Sequence, residues 1–176
     1  QVENALLALR VIEVLREEGM SISDRALKKG FAGARWSGRF EVISKKPYFV
    51  VDGAHNEDGA RKLARSVRFY FTNKKIIYIM GILKDKEYDK IISLTAPFAA
   101  HIITVKTPDN PRAMDAYELA CEVAKQHGSV TAAASLEEAV EMSYLLADKE
   151  SVILAFGSLS YLGKLMDIVE KRQRKV

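Results

Sequence analysis

Short runs of apolar, β-branched residues alternate with longer segments of helical period, and this alternation constrains the fold more than any other feature of the chain. The runs are Phe40 to Ile43, Tyr48 to Val51, Ile76 to Met80, Ile102 to Val105 and Val152 to Phe156, with a weaker one at Val130 to Ala133. Between them the spacing predicts helices over Asp58 to Phe71, Glu87 to Ala96, Asp115 to His127, Leu136 to Ala147 and Ser158 to Lys171. Strands buried on both faces read as continuous apolar runs, and strand–helix–strand crossovers are right-handed. The expected fold is therefore α/β, a Rossmann-like, mostly parallel sheet covered by helices.

Two helices precede this pattern. Val2, Ala5, Leu6, Leu9, Ile12 and Leu15 recur at helical spacing and stop at Gly19, so a first helix is expected over Val2 to Glu18. Ser23 and Asp24 supply cap chemistry for a second through Leu27 and Phe31 to the Gly33 region, and Ala34 to Gly38 reads as a linker. The expected division is a helical piece at 1–37 and a sheet domain at 38–176; 176 residues suit one well-cored domain with a small attachment. The chain opens on Gln1 with a helix under way by Val2, which reads as a fragment of a longer polypeptide.

The single cysteine, Cys121, cannot form an internal disulfide and is expected to be buried and inert on its helix. No apolar run approaches the roughly 20 residues that span a bilayer, so no membrane association and a cytoplasmic location are expected. The net charge of +4 is scattered except for Lys171, Arg172, Arg174 and Lys175, which read as cations complementing the end of the last helix. No interleaved aromatics accompany them, so no nucleic-acid partner is expected, and the chain is read as a monomer. His101 and His127 have no companions at metal or triad spacing, and no set of ligands suggests a metal.

Ligands of open α/β sheets sit beyond the carboxyl ends of the strands, which directs attention to Asp52 to Asn56, Gly81 to Lys86, Lys106 to Arg112, the neighbourhood of Ser135, and Gly157 to Ser160. Asp52 directly follows an apolar run; there a carboxylate can accept ribose hydroxyls, or Asp52 and Asn56 can cap the helix that begins near Glu57. Glu57 and Asp58 disfavour a phosphate at that helix end, so any phosphate needs Arg39. The planar, permanently charged Arg39 suits bidentate contact with phosphate or carboxylate, or else forms a surface ion pair with Glu41 or another acid. His55 can donate to a bound group. Gly157 to Lys164 only imitates a phosphate loop: five residues separate Gly157 from Gly163, and Leu165 stands where a hydroxyl would hold magnesium. Ser158 therefore reads as a helix cap that can also face a ligand. Gly81 to Lys86 reads as a solvated loop, and Arg112 as an interdomain contact.

Taken together, Asn4-Ala5, Trp36-Ser37-Gly38-Arg39-Phe40-Glu41, Asp52-Gly53-Ala54-His55-Asn56, Gly81 with Asp85-Lys86, and Gly157-Ser158 resemble the carboxyl-terminal part of the folylpolyglutamate and dihydrofolate synthase family of Mur-type ligases. The resemblance implies a Rossmann-like domain closing over an N-terminal ATPase domain of the same polypeptide, with residues 1–37 as the tail of that ATPase domain plus linker. It implies Asn4, Arg39, Asp52 and His55 around ATP, with Arg39 and His55 in catalytic roles, and Ser158 near the incoming L-glutamate. Folate or dihydropteroate would be the acceptor, and Mg²⁺ would be held in the missing N-terminal part. The family usually has proline where Ser37 and Glu57 stand, so a looser hinge and a less rigid helix start are implied. Alternatives are another Mur-type amino-acid ligase, or a stand-alone Rossmann-like nucleotide-binding or interaction module, against which the lack of a G-x-G-x-x-G fingerprint counts.

Overall fold

A computed structural model describes residues 2–34 and 36–174; Gln1, Arg35 of the linker and Lys175 of the terminal basic run lie outside the described residues. The chain divides into two compact units, Gln1–Ser37 and Gly38–Val176. The first holds α1 (Val2–Glu17) and α2 (Asp24–Gly33). Ser23 caps α2, its Oγ accepting the Ala26 N–H at 3.1 Å, and Arg16 reaches Asp24 at 2.8 Å.

The second unit runs β1 (Glu41–Lys45), β2 (Tyr48–Val51), α3 (Glu57–Tyr70), β3 (Ile76–Met80), α4 (Tyr88–Thr95), a 3₁₀ turn at Ala96–Phe98, β4 (His101–Thr104), α5 (Ala116–Ala124), β5 (Val130–Ala132), α6 (Leu136–Leu146), β6 (Val152–Phe156) and α7 (Leu159–Gln173). The sheet order is β1-β2-β6-β3-β4-β5, parallel throughout except for the antiparallel β1/β2 pair. The protein is thus α/β with a mostly parallel, covered sheet.

Side chains of successive strand residues face opposite ways, and the core divides accordingly. Val50, Tyr78, Met80, Leu154 and Phe156 pack with Leu63 and Val67 of α3, Ile91 and Ile92 of α4, and Leu119 and Val123 of α5. Phe49, Val51, Ile77, Ile79, Ile103 and Ile153 pack with Val140 of α6 and Tyr161, Leu165 and Val169 of α7. Each such buried side chain stabilises the fold by roughly 1.5–3 kcal/mol. The buried Tyr161 hydroxyl lies 2.7 Å from the Phe156 carbonyl and 3.1 Å from that of Ile79, tying α7 to the carboxyl ends of β6 and β3.

Several details depart from the sequence reading. The first strand starts at Glu41 because Phe40 stands in the left-handed region at φ +46° and turns the chain into the edge of the sheet. The helix expected to reach His127 ends at Ala124, where the Lys125 N–H bonds both Glu122 and Val123 carbonyls and tightens the turn. Cys121 is exposed: Ala116, Leu119, Ala120 and Val123 form the buried stripe of α5, and Cys121 falls off it. The two histidines have structural partners. His127 Nε2 donates to the Ala99 carbonyl at 3.0 Å, and the His101 ring sits 2.6 Å from Ser129 Oγ and 3.1 Å from Thr131 Oγ1. Arg172 does more than end a helix, since it pairs with Glu141 at 3.0 Å and lies 4.0 Å over the Tyr144 ring.

Candidate functional site

The neighbouring strands β2, β6 and β3 end together, and main-chain hydrogen bonds join the loops that follow them. The Asp52 N–H bonds the Ala155 carbonyl at 2.9 Å, the Gly157 N–H bonds that of Ala54 at 2.9 Å, and the Gly81 N–H bonds that of Phe156 at 3.2 Å. Gly157 needs to be glycine: its φ is +112°, and a Cβ there would lie 2.5 Å from the Gly81 carbonyl oxygen. These contacts give the carboxyl edge a fixed floor.

Asp52 is the pivot of that floor. Its Oδ2 accepts the Phe40 N–H and its Oδ1 the Ala54 N–H, each at 2.8 Å. Burial pushes its carboxyl above the usual carboxylate range, against the pull of the two N–H groups and the nearby Arg39 charge. Each oxygen keeps a lone pair not used by the main chain, which fits a ribose hydroxyl. Of the two roles open to this motif, the cap belongs to Asn56, whose Oδ1 accepts the Gly59 N–H at 2.8 Å; Asp52 instead fastens the Arg39 segment to the end of β2.

Arg39 and His55 flank the same glycine. A Cβ on Gly53 would stand 3.3 Å from Arg39 Nη1, and His55 Nδ1 donates to the Gly53 carbonyl at 2.7 Å. The His55 Nε2 has no hydrogen-bond partner among the described residues. Arg39 forms no salt bridge with Glu41; a Glu41 carboxylate oxygen accepts the Gly38 N–H at 2.8 Å. Among the described residues no salt bridge holds the exposed guanidinium of Arg39. The acids of the first turn of α3 are neutralised locally: Glu57 by Arg61 at 2.7 Å and Lys90 at 3.1 Å, Asp58 by Lys62 at 3.0 Å.

Other expected positions fall outside this cluster. Ser158 is 4% exposed and caps α7, its Oγ accepting the Ser160 N–H at 3.4 Å and sharing a 2.7 Å hydrogen bond with Ser160 Oγ. Asn4 is exposed on α1 of the first unit. Arg112, read as an interdomain contact, pairs within this unit with Asp85 at 3.0 Å, and Lys84 pairs with Glu118 at 3.2 Å, so Gly81 to Lys86 is braced rather than merely solvated. A residue missed in the sequence is Thr107, in the loop after β4: it is 1% exposed and its hydroxyl has no partner among the described residues. Nothing in its local sequence marks it. No group of three or more His, Cys, Asp or Glu side chains that could hold a metal ion occurs among the described residues.

A mostly parallel sheet, covered by helices and with Asp52 at the carboxyl end of β2, defines a Rossmann-like domain. A match to the family described as Mur ligase, glutamate ligase domain, covers residues 38–159. The chain belongs to that family.

It is 32% identical, over 94% of its length and 38% of the relative's, to a dihydrofolate synthase/folylpolyglutamate synthase of Bacillus subtilis. It is 34% identical, over 65% of its length and 27% of the relative's, to a folylpolyglutamate synthase of Lacticaseibacillus casei. Among solved structures it superposes on a Mycobacterium tuberculosis folylpolyglutamate synthase complexed with ADP with a TM-score of 0.81 at 26% identity, covering 97% of this chain and 38% of that one. The Thermotoga maritima folylpolyglutamate synthase gives a TM-score of 0.75 at 29% identity, covering 96% of this chain and 38% of that one. The chain therefore spans less than two fifths of these relatives' length.

Proposed function

We propose that this chain is the carboxyl-terminal domain of a cytoplasmic, monomeric, ATP-dependent amide ligase that adds L-glutamate to folate, to dihydropteroate, or to both. In the proposed reaction the acceptor carboxylate displaces ADP from the γ-phosphorus of ATP to give an acyl phosphate. The glutamate amine then attacks the acyl carbon, loses a proton and expels phosphate.

The observation that carries this reading is the exposed, unpaired Arg39 guanidinium held beside Gly53 within the electrostatic reach of Asp52. A fixed cation facing transferring phosphate oxygens stabilises charge as it develops, provided it has not been neutralised by a protein carboxylate. Arg39 is assigned that role, Asp52 the ribose, and His55 Nε2 a hydrogen bond to the bound nucleotide. Asn4 is assigned a nucleotide contact and Ser158 a contact to the glutamate. The Asn56 cap, which already takes the Gly59 N–H at the start of α3, supports the choice of Arg39 over that helix end for the phosphate.

Magnesium would neutralise phosphate charge in such a reaction, and its ligands are assigned to the ATPase domain of the longer polypeptide. Residues 1–37 are assigned to the tail of the ATPase domain and its linker. Without a phosphate loop the isolated chain is expected to have no ligase activity.

The test is ADP release by the longer polypeptide supplied with ATP, magnesium and glutamate, with dihydropteroate or a reduced folate as acceptor. Release that depends on one acceptor supports the reading and names the substrate. A folded, ATP-binding polypeptide silent with both would instead indicate a Mur-type ligase with another acceptor.

A further inference from the structure

The amino edge of the sheet carries a concavity lined by none of the loop residues described above. A cavity of about 330 Å³ lies where α3 ends and β3 begins, at the low end of the roughly 300–1,000 Å³ range of small-molecule sites. Its apolar side is made by Val67 and Ile76, both buried, with Phe71 and Phe98. The polar side is Arg68, Thr72, Asn73 and Lys74. Ile76 opens β3 and Gly81 follows its far end, so the cavity lies at the opposite end of β3 from the Asp52 site, with the Phe71 ring of its wall 5.7 Å from that of Phe40.

The charges on the rim are unequal. Lys74 is paired with Glu150 at 2.7 Å, whereas neither the Arg68 guanidinium nor the Asn73 amide has a hydrogen-bond or ionic partner among the described residues. The end of a helix ordinarily repels an anion, but here two carbonyls of its last turn, and one just beyond it, are already engaged. The Val67 carbonyl takes the Phe71 N–H at 2.9 Å, that of Arg68 the Thr72 hydroxyl at 2.7 Å, and that of Phe71 the Lys74 N–H at 3.1 Å. Asn73 stands at φ +61°, which turns the chain so that its side chain lines the cavity. An aromatic floor under one uncommitted, planar cation and one free amide is complementary to a flat apolar body bearing a carboxylate.

We propose that this cavity is a binding site for small aromatic carboxylates, separate from the catalytic edge. The test is an amide-resolved NMR titration of the 176-residue chain with naphthalene-2-carboxylate and, in parallel, its uncharged amide. The carboxylate is expected to shift resonances of residues 67–76 and Phe98 saturably, and the amide to bind roughly three- to fivefold more weakly, the worth of one solvent-facing charge pair. Arg68→Gln is expected to bring the carboxylate down to the affinity of the amide, while Arg65→Gln, one turn earlier on α3, leaves it unchanged; thermal melts check that both variants fold. Shifts centred elsewhere, no saturable shifts, equal binding of acid and amide, or an Arg68→Gln variant that binds like wild type would overturn the proposal.

Discussion

The Asp52 carboxylate accepts the main-chain N–H of Phe40 at 2.8 Å, and Phe40 stands in the left-handed region at φ +46°. A bulky residue adopts that conformation only when its surroundings hold it there. Phe40 is held at both ends, by Asp52 on its N–H and by ring contacts of 5.7 Å with both Tyr70 and Phe71. The strain is thus spent on fixing the residue next to Arg39.

Asp52→Asn should destabilise the domain by about 1–3 kcal/mol, because an amide offers one acceptor to two N–H groups. Urea denaturation measures it. The raised pKa of Asp52 sets the sign of the pH dependence: its stabilising contribution is complete below its usual value of 3.8 and is lost as pH rises through the raised value. The advantage of wild type over Asp52→Asn should therefore narrow as the solution is brought from acid to neutral pH. An advantage that widens would contradict the burial argument.

Gly53→Ala would bring its Cβ to 2.5 Å from Leu159 Cδ2, the end of a side chain that is 44% exposed and free to be trimmed. The single variant should lose about 1 kcal/mol, and Leu159→Ala in the same chain should restore most of it. A double-mutant cycle showing no coupling would refute the contact. Gly157→Ala has no such remedy, since its neighbour is the Gly81 carbonyl; a loss above about 2 kcal/mol is expected.

Burial holds the His101 pKa below its usual value of 6.5, with the nearby His127 adding to the effect. The folded state then takes up that proton less readily than the unfolded chain, so stability should be level above about pH 6.5 and fall as pH drops below it. His101→Asn should lessen that fall. Parallel denaturation series for the two proteins, in which an unchanged slope counts against the role, decide the matter.

The covered strands were plain in the sequence. Ile76 to Met80 and Val152 to Phe156 are uninterrupted apolar runs, and they are the β3 and β6 strands of the structure, buried on both faces. The edge was not plain: Glu41–Lys45 is nowhere fully buried and its register with β2 breaks between Val42 and Ser44, and only a two-residue connection separates it from its antiparallel partner. Of the site, the Arg39, Asp52 and His55 grouping was legible because Asp52 and His55 stand near each other at a strand end and Arg39 on the preceding glycine turn. What Asp52 does with its oxygens was not, since Phe40 lies twelve residues away and no local pattern announces that bond. The Asp85 to Arg112 pair, separated by 27 residues, escaped for the same reason. Cys121 was misread because Leu119 and Val123, on which the reading leaned, are two residues away on either side, and two residues are more than half a turn round a helix.

The most direct test of the central claim compares the longer polypeptide carrying wild-type Arg39 with the same polypeptide carrying Arg39→Ala, measuring acceptor-dependent ADP release and fold stability together. The account predicts turnover lower by about 10²–10³-fold, the usual cost of losing one preorganised charge at a reacting centre, with the thermal midpoint little changed because Arg39 is exposed and unpaired. Wild-type turnover from a folded Arg39→Ala variant would contradict it.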